Sequence, residues 1–474
     1  MNTNKTAINP YLPSWEYIPD GEPYVFDGRV YVYGSHDIYD GHVFCLGDYV
    51  CYSAPVDDLG DWRYEGVIYP KTSDPLNKNG RMCLYAPDVT KGPDGRYYLY
   101  YVLDKVSVVS VAVCDTPAGR YEFLGYVHYK DGTKLGDRKG DEPQFDPGVL
   151  TEGDRAYLYT GFCPRGDKSR TGSYMVVLGP DMLTIEEEPV LIAPGIENPD
   201  KFGFDGHEFF EAPSIRKRGE LYYFIYSSIW MHELCYAVSE SPAGPFEFKG
   251  TIISNADIGI STYKEADVPG NFGGNNHGSI IEIGTKWYIF YHRHTNGTWY
   301  SRQGCAEPIT FEADGTIPQV EITTQGLNGE PLTGEGEHMA YTVCNIMIDK
   351  QALYIGEPGN PTVKERLDDG MEYPQAFIAG IKNNTILGFK YFNCMGINAF
   401  EIKTRGYGDG VFELRTDLNK EAIGKIQVHN DNEWTSYETD IELPDGVYPI
   451  YITFKGNSSS LQLLSFSLIN RSNK

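Results

Sequence analysis

Five positions in this chain carry a carboxylic acid or an imidazole shortly ahead of an aromatic run. They are Asp20, Asp88, Asp146, Glu211 and His277, and the runs behind them begin at Val30, Tyr97, Ala156, Leu221 and Trp287. The gaps are 10, 9, 10, 10 and 10 residues, so the two features travel together. Gathered in one place, four carboxyl groups and one imidazole could do acid–base chemistry. Like charges in a partly desolvated site cannot all ionise, so one acid stays protonated while another stays charged. Cleavage of a glycosidic bond needs that pair: a proton for the leaving oxygen and a carboxylate for water or the anomeric carbon. Taken singly, any of these residues could as well cap a turn or hold a metal. Their recurrence is what points to catalysis.

The elements that must position them are hairpins. Between each polar residue and its aromatic run lies a tight-turn signal: Asp27-Gly28, Asp94-Gly95, Gly153-Asp154, Arg218-Gly219 and Gly284-Thr285. The runs start 67, 59, 65 and 66 residues apart, a period that suits propeller blades with generous loops. Blade one is expected over 18–69, blade two over 85–127, blade three over 145–192 and blade five over 275–318. A second internal match, VAVCDTPAGRYEFLG at 111–125 and YAVSESPAGPFEFKG at 236–250, supports a true repeat. Connections at 129–144, 194–209 and 254–274 are long, and long loops on a rigid scaffold are where specificity resides. The return strand of each hairpin ends on the face where the first began. His36, Asp37, Asp104, Trp230 and His292 to His294 stand at those ends. Aromatic faces with carboxylates and imidazoles suit a sugar ligand, so His36, Asp37 and Trp230 are candidate sugar contacts.

The chain has 474 residues, enough for two domains, and its 37 Tyr, 22 Phe, 52 Gly and 29 Pro favour an all-β protein. A formal charge of −26 argues against nucleic acid or an anionic membrane as a partner and leaves a neutral ligand, an oligosaccharide or polysaccharide, as the easier one. Nine cysteines are scattered with no paired spacing, and most read as packed thiols. The N-terminal MNTNKTAINPYLPSW has no apolar core of a signal peptide, which makes a cytoplasmic location the expectation. After residue 318 the composition changes. Residues 319–344 read as a linker, and 345–474 carry short alternating strands such as AFEIKTRG and VYPIYITFKG, the pattern of a β-sandwich.

Residues 9–318 also resemble glycoside hydrolase family 43, through NPYLPSWEYIPDGEP at 9–23, FDPGVL at 145–150, FFEAPSI at 209–215 and NNHGSIIEIGTKWYIFYHR at 275–293. The resemblance implies a five-bladed β-propeller with a catalytic Asp, Asp, Glu trio. Asp20 would be the general base, Glu211 the general acid, and Asp146 the residue that orients Glu211 and keeps its pKa high. Asp88 matches the trio less well than Asp146 and is kept as a structural or secondary residue, with sugar contact open. The implied mechanism is single-step inversion, with the carboxyl groups of Asp20 and Glu211 about 6.5–9.5 Å apart. His277 would face a central calcium ion, and Arg302 would lie near the bound sugar, with Arg293 as its competitor. The expected activity is removal of terminal pentoses, as an α-L-arabinofuranosidase or β-xylosidase. An endo-acting arabinanase or xylanase, a non-catalytic sugar-binding propeller and a phosphorylase are the alternatives. Residues 432–456 resemble a family 6 carbohydrate-binding module, but LQLLSFSL at 461–468 lacks that pattern's Asn and Trp, so a stabilising or pocket-walling role stands beside sugar binding.

Overall fold

The computed structural model describes residues 7–198, 203–349, 351 and 353–473; the remainder includes residues 1–6 of the N-terminal segment and part of the 194–209 connection. Each predicted hairpin is present and opens a sheet. The first sheet runs β1 (Glu22–Phe26), β2 (Arg29–Tyr33), β3 (Tyr49–Pro55) and β4 (Arg63–Tyr69). The second runs β5 (Asp88–Lys91), β6 (Tyr97–Tyr101), β7 (Ser110–Cys114) and β8 (Glu122–Tyr126). The third runs β9 (Gly148–Glu152), β10 (Arg155–Thr160), β11 (Gly172–Leu178) and β12 (Ile185–Pro194). The fourth runs β13 (Phe209–Arg218), β14 (Leu221–Ser228), β15 (Glu233–Ser239) and β16 (Glu247–Ser254). The fifth has three strands, β17 (Ile280–Ile283), β18 (Lys286–His294) and β19 (Arg302–Ile309). Pairing within every sheet is antiparallel and follows chain order.

Alternation along the strands explains why the sheets form a ring. Side chains of a strand point to opposite faces in turn, and here each face packs on a different neighbour. In β2, Val30 and Val32 join the core shared with the fifth sheet, whereas Tyr31 and Tyr33 join the one shared with the second. In β6, Tyr97, Leu99 and Tyr101 face the first sheet while Tyr98 and Tyr100 face the third. In β14, Tyr222, Phe224 and Tyr226 face the third sheet while Tyr223 and Ile225 face the fifth. Five sheets sharing five apolar cores in cyclic order make a closed β-propeller.

The first strand of each sheet lies innermost, and polar contacts join them across the axis. Tyr24 Oη in β1 donates to Asp88 Oδ1 in β5 at 2.8 Å, and Asp88 Oδ2 accepts the Val149 N–H of β9 at 2.7 Å. Ser214 of β13 donates to Glu22 of β1, and its hydroxyl is 2.8 Å from that of Ser279. The N-terminal segment helps to close the ring. Tyr11 N–H donates to Gly304 O, and Asn9 exchanges hydrogen bonds with Ala306, 297 residues away.

The C-terminal part is two facing sheets. One contains β20 (Leu332–Thr333), β22 (Asn345–Ile348), β25 (Thr385–Cys394), β27 (Gly408–Arg415), β28 (Gly424–Val428) and β30 (Gly446–Ser458). The other contains β21 (Gly336–Met339), β23 (Thr362–Arg366), β24 (Gln375–Ala379), β26 (Ala399–Gly406), β29 (Asp431–Asp440) and β31 (Gln462–Ile469). Phe389, Phe400, Phe412, Phe454 and Phe466 are among the side chains that fill the space between them. Residues 332–339, which composition alone reads as linker, already pair into both sheets.

The sandwich docks on the propeller by polar contacts. Tyr17 and Tyr39 donate to Glu365, Asn296 N–H to Val363 O at 2.8 Å, and Gly297 N–H to Thr362 Oγ1 at 3.1 Å. Lys390 of β25 is fully buried between Glu321 (2.7 Å) and Asp257 (3.4 Å), with its ammonium 4.1 Å above the Tyr263 ring. Lys390→Met would leave Asp257 buried without its cation. We expect a loss of about 3–5 kcal/mol, read as a lower urea midpoint; an unchanged midpoint would show that the lock contributes nothing.

Candidate active site

Three of the recurring acids converge. Asp20, Asp146 and Glu211 line one cavity of about 360 Å³, together with His277, Arg302 and Asn275. Six aromatic side chains form much of its wall: Phe44, Tyr85, Phe145, Phe162, Phe210 and Trp299. The backbone is bent sharply where the polar groups enter. Asp20, Cys45, Asp146 and Met231, all in the lining, have φ of 58°, 58°, 45° and 66°, and Ala212, next to Glu211, has 64°. Non-glycine residues adopt this left-handed region at a cost of about 1–3 kcal/mol, and such residues cluster at functional sites. A register shift on either side of Glu211 in the β13–β14 ladder likewise turns that residue out of the regular pleat.

Arg302 organises one side. Its Nε and Nη2 bond Asp37 Oδ2 and Oδ1 at 2.8 and 3.0 Å, a two-pronged clamp, and its Nη1 reaches Asp20 Oδ1 at 3.0 Å. His292 holds the same aspartate from behind. Its Nε2 lies 2.7 Å from the carbonyl of Asn275, which can only accept, so Nε2 carries the proton and Nδ1 accepts the Asp20 N–H at 3.3 Å. Burial, and then the charge of Arg302, push the His292 pKa well below its ordinary value and keep the ring neutral for that task.

Opposite, Asp146 accepts the Ala212 N–H and faces His277 Nδ1 at 3.7 Å. Burial raises the Asp146 pKa to about 7. Glu211 is pushed well above the usual carboxylate range, first by burial and then by the charges of Asp146 and Asp20. Burial alone would lower the His277 pKa, but Glu22, Asp146 and Asp20 outweigh it and raise it to about 9. Beneath the pocket, His277 Nε2 looks at Glu22 Oε1 from 3.6 Å, and that buried oxygen has no hydrogen-bond partner among the described residues. The other oxygen of Glu22 is held by Arg216 at 2.6 Å. An unpartnered carboxylate oxygen beside an imidazole nitrogen is a donor pair that could hold a cation whose remaining positions are filled by water.

The other sequence candidates lie outside the lining. Asp37 is fully buried behind Arg302 and supports it. His36 bonds the Asp48 carbonyl through Nδ1 at 3.0 Å. Asp88 is a staple between the first three sheets, its pKa raised to about 8 by burial and by Glu22. Asp104 accepts the Cys83 N–H, and Arg293 holds the carbonyls of Tyr341 and Val343. Trp230 is 53% exposed, with its indole N–H on the Gly206 carbonyl at 2.7 Å, next to Met231 in the lining. Sequence reasoning missed the aromatic wall, Glu22, Arg216 and Cys45. Phe145 and Phe210 were signalled by their place just before Asp146 and Glu211; Phe44 and Trp299 come from loops with no such mark. Cys45 is a packed thiol that also lines the pocket, 3.5 Å from Arg302 Nη2. All nine cysteines are free thiols.

Several known proteins are similar to this chain. A xylosidase/arabinosidase of Thermoclostridium stercorarium is 62% identical over 470 residues, covering 98% of this chain and 99% of that protein. The crystal structure of a family 43 β-xylosidase/α-arabinofuranosidase from a compost microbial metagenome, in complex with xylotriose and in calcium-free form, superposes with a TM-score of 0.52 at 27% identity, covering 67% of this chain and 98% of that one. A Bacillus subtilis family 43 arabinoxylan arabinofuranohydrolase shares the fold across 98% of this chain and 97% of its own, with a TM-score of 0.52 and 21% identity. Residues 23–317 match the sequence profile of glycosyl hydrolases family 43. With the catalytic-type acids in one pocket and a 62% identical relative along nearly its full length, the chain belongs to glycosyl hydrolases family 43.

Proposed function

We propose that the protein is an inverting, exo-acting glycoside hydrolase that removes terminal pentose units from xylan, arabinoxylan or arabinan oligosaccharides, as an α-L-arabinofuranosidase, a β-xylosidase or both. One observation carries the reading: Asp20, Asp146 and Glu211 share a single aromatic-lined pocket in which burial and the neighbouring acids push the Glu211 pKa well above its ordinary value. Glu211 gives its proton to the departing glycosidic oxygen. Asp20, fixed in direction by Arg302, takes a proton from the water whose oxygen bonds the anomeric carbon as the glycosidic bond breaks. Burial first, and then the charge that Asp146 carries when ionised, favour the acid form of Glu211. The cavity is near the small end of ligand pockets, which favours a chain end over the middle of a polysaccharide. The xylosidase/arabinosidase relative and the xylotriose-bound neighbour support the choice of sugar.

A calcium ion on the axis is part of the proposal. Glu22 Oε1 and His277, the latter then neutral, would hold it with water, and it would supply positive charge beneath the acids. Chelation should lower the thermal midpoint and added calcium restore it; a midpoint that ignores both would remove the ion from the account.

Glu211→Gln should cut hydrolysis of aryl pentosides by about 10²–10⁴-fold while sugar binding survives, and NMR of the first wild-type product should show the inverted anomer. A retained anomer, or undiminished turnover in the variant, would defeat the assignment. The alkaline limb of kcat/KM reports loss of the Glu211 proton. In Asp146→Asn a neighbouring negative charge is gone, the acid form is less favoured, and the limb moves to lower pH; a limb that stays put or moves up would sink the role given to Asp146.

A further inference from the structure

Outside the pocket, among the described residues, one grouping has the makings of a metal site. His207, Glu233 and Cys235 place Nδ1, a carboxylate oxygen and Sγ within 4.8 Å of one another. Glu233 and Cys235 are two apart on β15 and therefore share a face. His207 comes from the loop before β13, with its ring stacked on Phe248 at 4.9 Å and its carbonyl held by Tyr226 Oη at 2.7 Å. The His207 Nδ1 to Cys235 Sγ distance is 3.8 Å and the Nδ1 to Glu233 Oε1 distance 2.7 Å. The edges of a tetrahedral zinc site with these atom types are about 3.3–3.7 Å, so the nitrogen–sulfur edge must close by a few tenths of an ångström and the nitrogen–oxygen edge open by under about 1 Å. Second contacts keep the carboxylate oriented: Glu233 Oε1 accepts from Ser228, and Oε2 from Thr251 at 2.9 Å. Beside His207, Glu208 is 7% exposed, and its buried Oε2 has no hydrogen-bond partner among the described residues. The carboxylate of Glu208 acts electrostatically on His207. The imidazole is one-third exposed and gives a route in from solvent.

We propose that His207, Glu233 and Cys235 form a binding site for a divalent transition metal of the zinc class, the fourth position being filled by water or Glu208. Thiolate and imidazole select such an ion over calcium or magnesium. On binding, the Cys235 thiol proton and the His207 Nδ1 proton leave to solvent while the metal stays divalent. With water in the fourth position, one carboxylate, one thiolate, a neutral imidazole and the dication sum to zero charge, as suits a largely buried site. The site ties β15 to the 206–208 loop, whose Gly206 carbonyl holds the Trp230 indole at the pocket rim and which leads directly into Glu211.

The 474-residue chain, stripped by a chelator, would be titrated with cobalt(II) and then zinc(II). The expected result is a thiolate-to-cobalt charge-transfer band that saturates at one equivalent and is displaced by zinc. Cys235→Ser should lose the band, and His207→Ala should weaken zinc affinity by at least about tenfold. His207 is partly exposed, so its variant keeps the test decisive should removal of the buried thiol impair folding. Absence of the band in the wild type, its persistence in Cys235→Ser, or unaltered zinc affinity in His207→Ala would overturn the proposal.

Discussion

Charge balance at the propeller axis is the constraint from which the rest follows. Six carboxyl groups, those of Asp20, Glu22, Asp37, Asp88, Asp146 and Glu211, are brought into a small volume with three cationic groups, Arg216, His277 and Arg302. Isolated buried charges would cost far more than the fold can offset. The structure meets this in two ways. Asp88, Asp146 and Glu211 are pushed towards their neutral forms, and the remaining three acids lie against the three cations. The same balance that lets five sheets converge therefore shifts Glu211 towards its protonated form, the form that the proposed general acid must have.

The hairpins were legible because propeller strands obey two local rules, turn chemistry and alternation. Asp27-Gly28 has both residues at positive φ, and the aromatic runs after each turn are the second strands. The convergence of the trio was legible because each member sits within two residues of the start of the first strand of its sheet. Reading strand ends was less reliable, as His36 and Trp230 show. It gives the face of a blade but not the distance from the axis, and a second strand lies about 4.8 Å farther out than the first. The partnership of Arg302 with Asp20, 282 residues earlier, and the loop-borne Phe44 and Trp299 leave no periodic trace. The short strands β20 and β21 likewise carry too few residues to show alternation.

The sandwich is bound into the active-site architecture. Its β23 grips Asn296 and Gly297, in the loop that carries Trp299 into the pocket. Tyr300 of the same loop meets Phe44, another wall residue, edge-on with ring centres 4.9 Å apart. A domain appended to a propeller thus steadies the part of the wall that sequence patterns could not foresee.

The seam between Asn9 and Ala306 shapes how the protein comes into being. During synthesis the first blade leaves the ribosome long before its partner across the seam, and at 5–20 residues per second the intervening 297 residues take on the order of 15–60 s. Through that interval Val30, Val32, Val50 and Tyr52 have no fifth blade to cover them. The growing chain is an open crescent with one sticky rim, so its vulnerability to clumping is greatest before translation ends, and the final closure is a docking between the oldest and the newest parts of the ring.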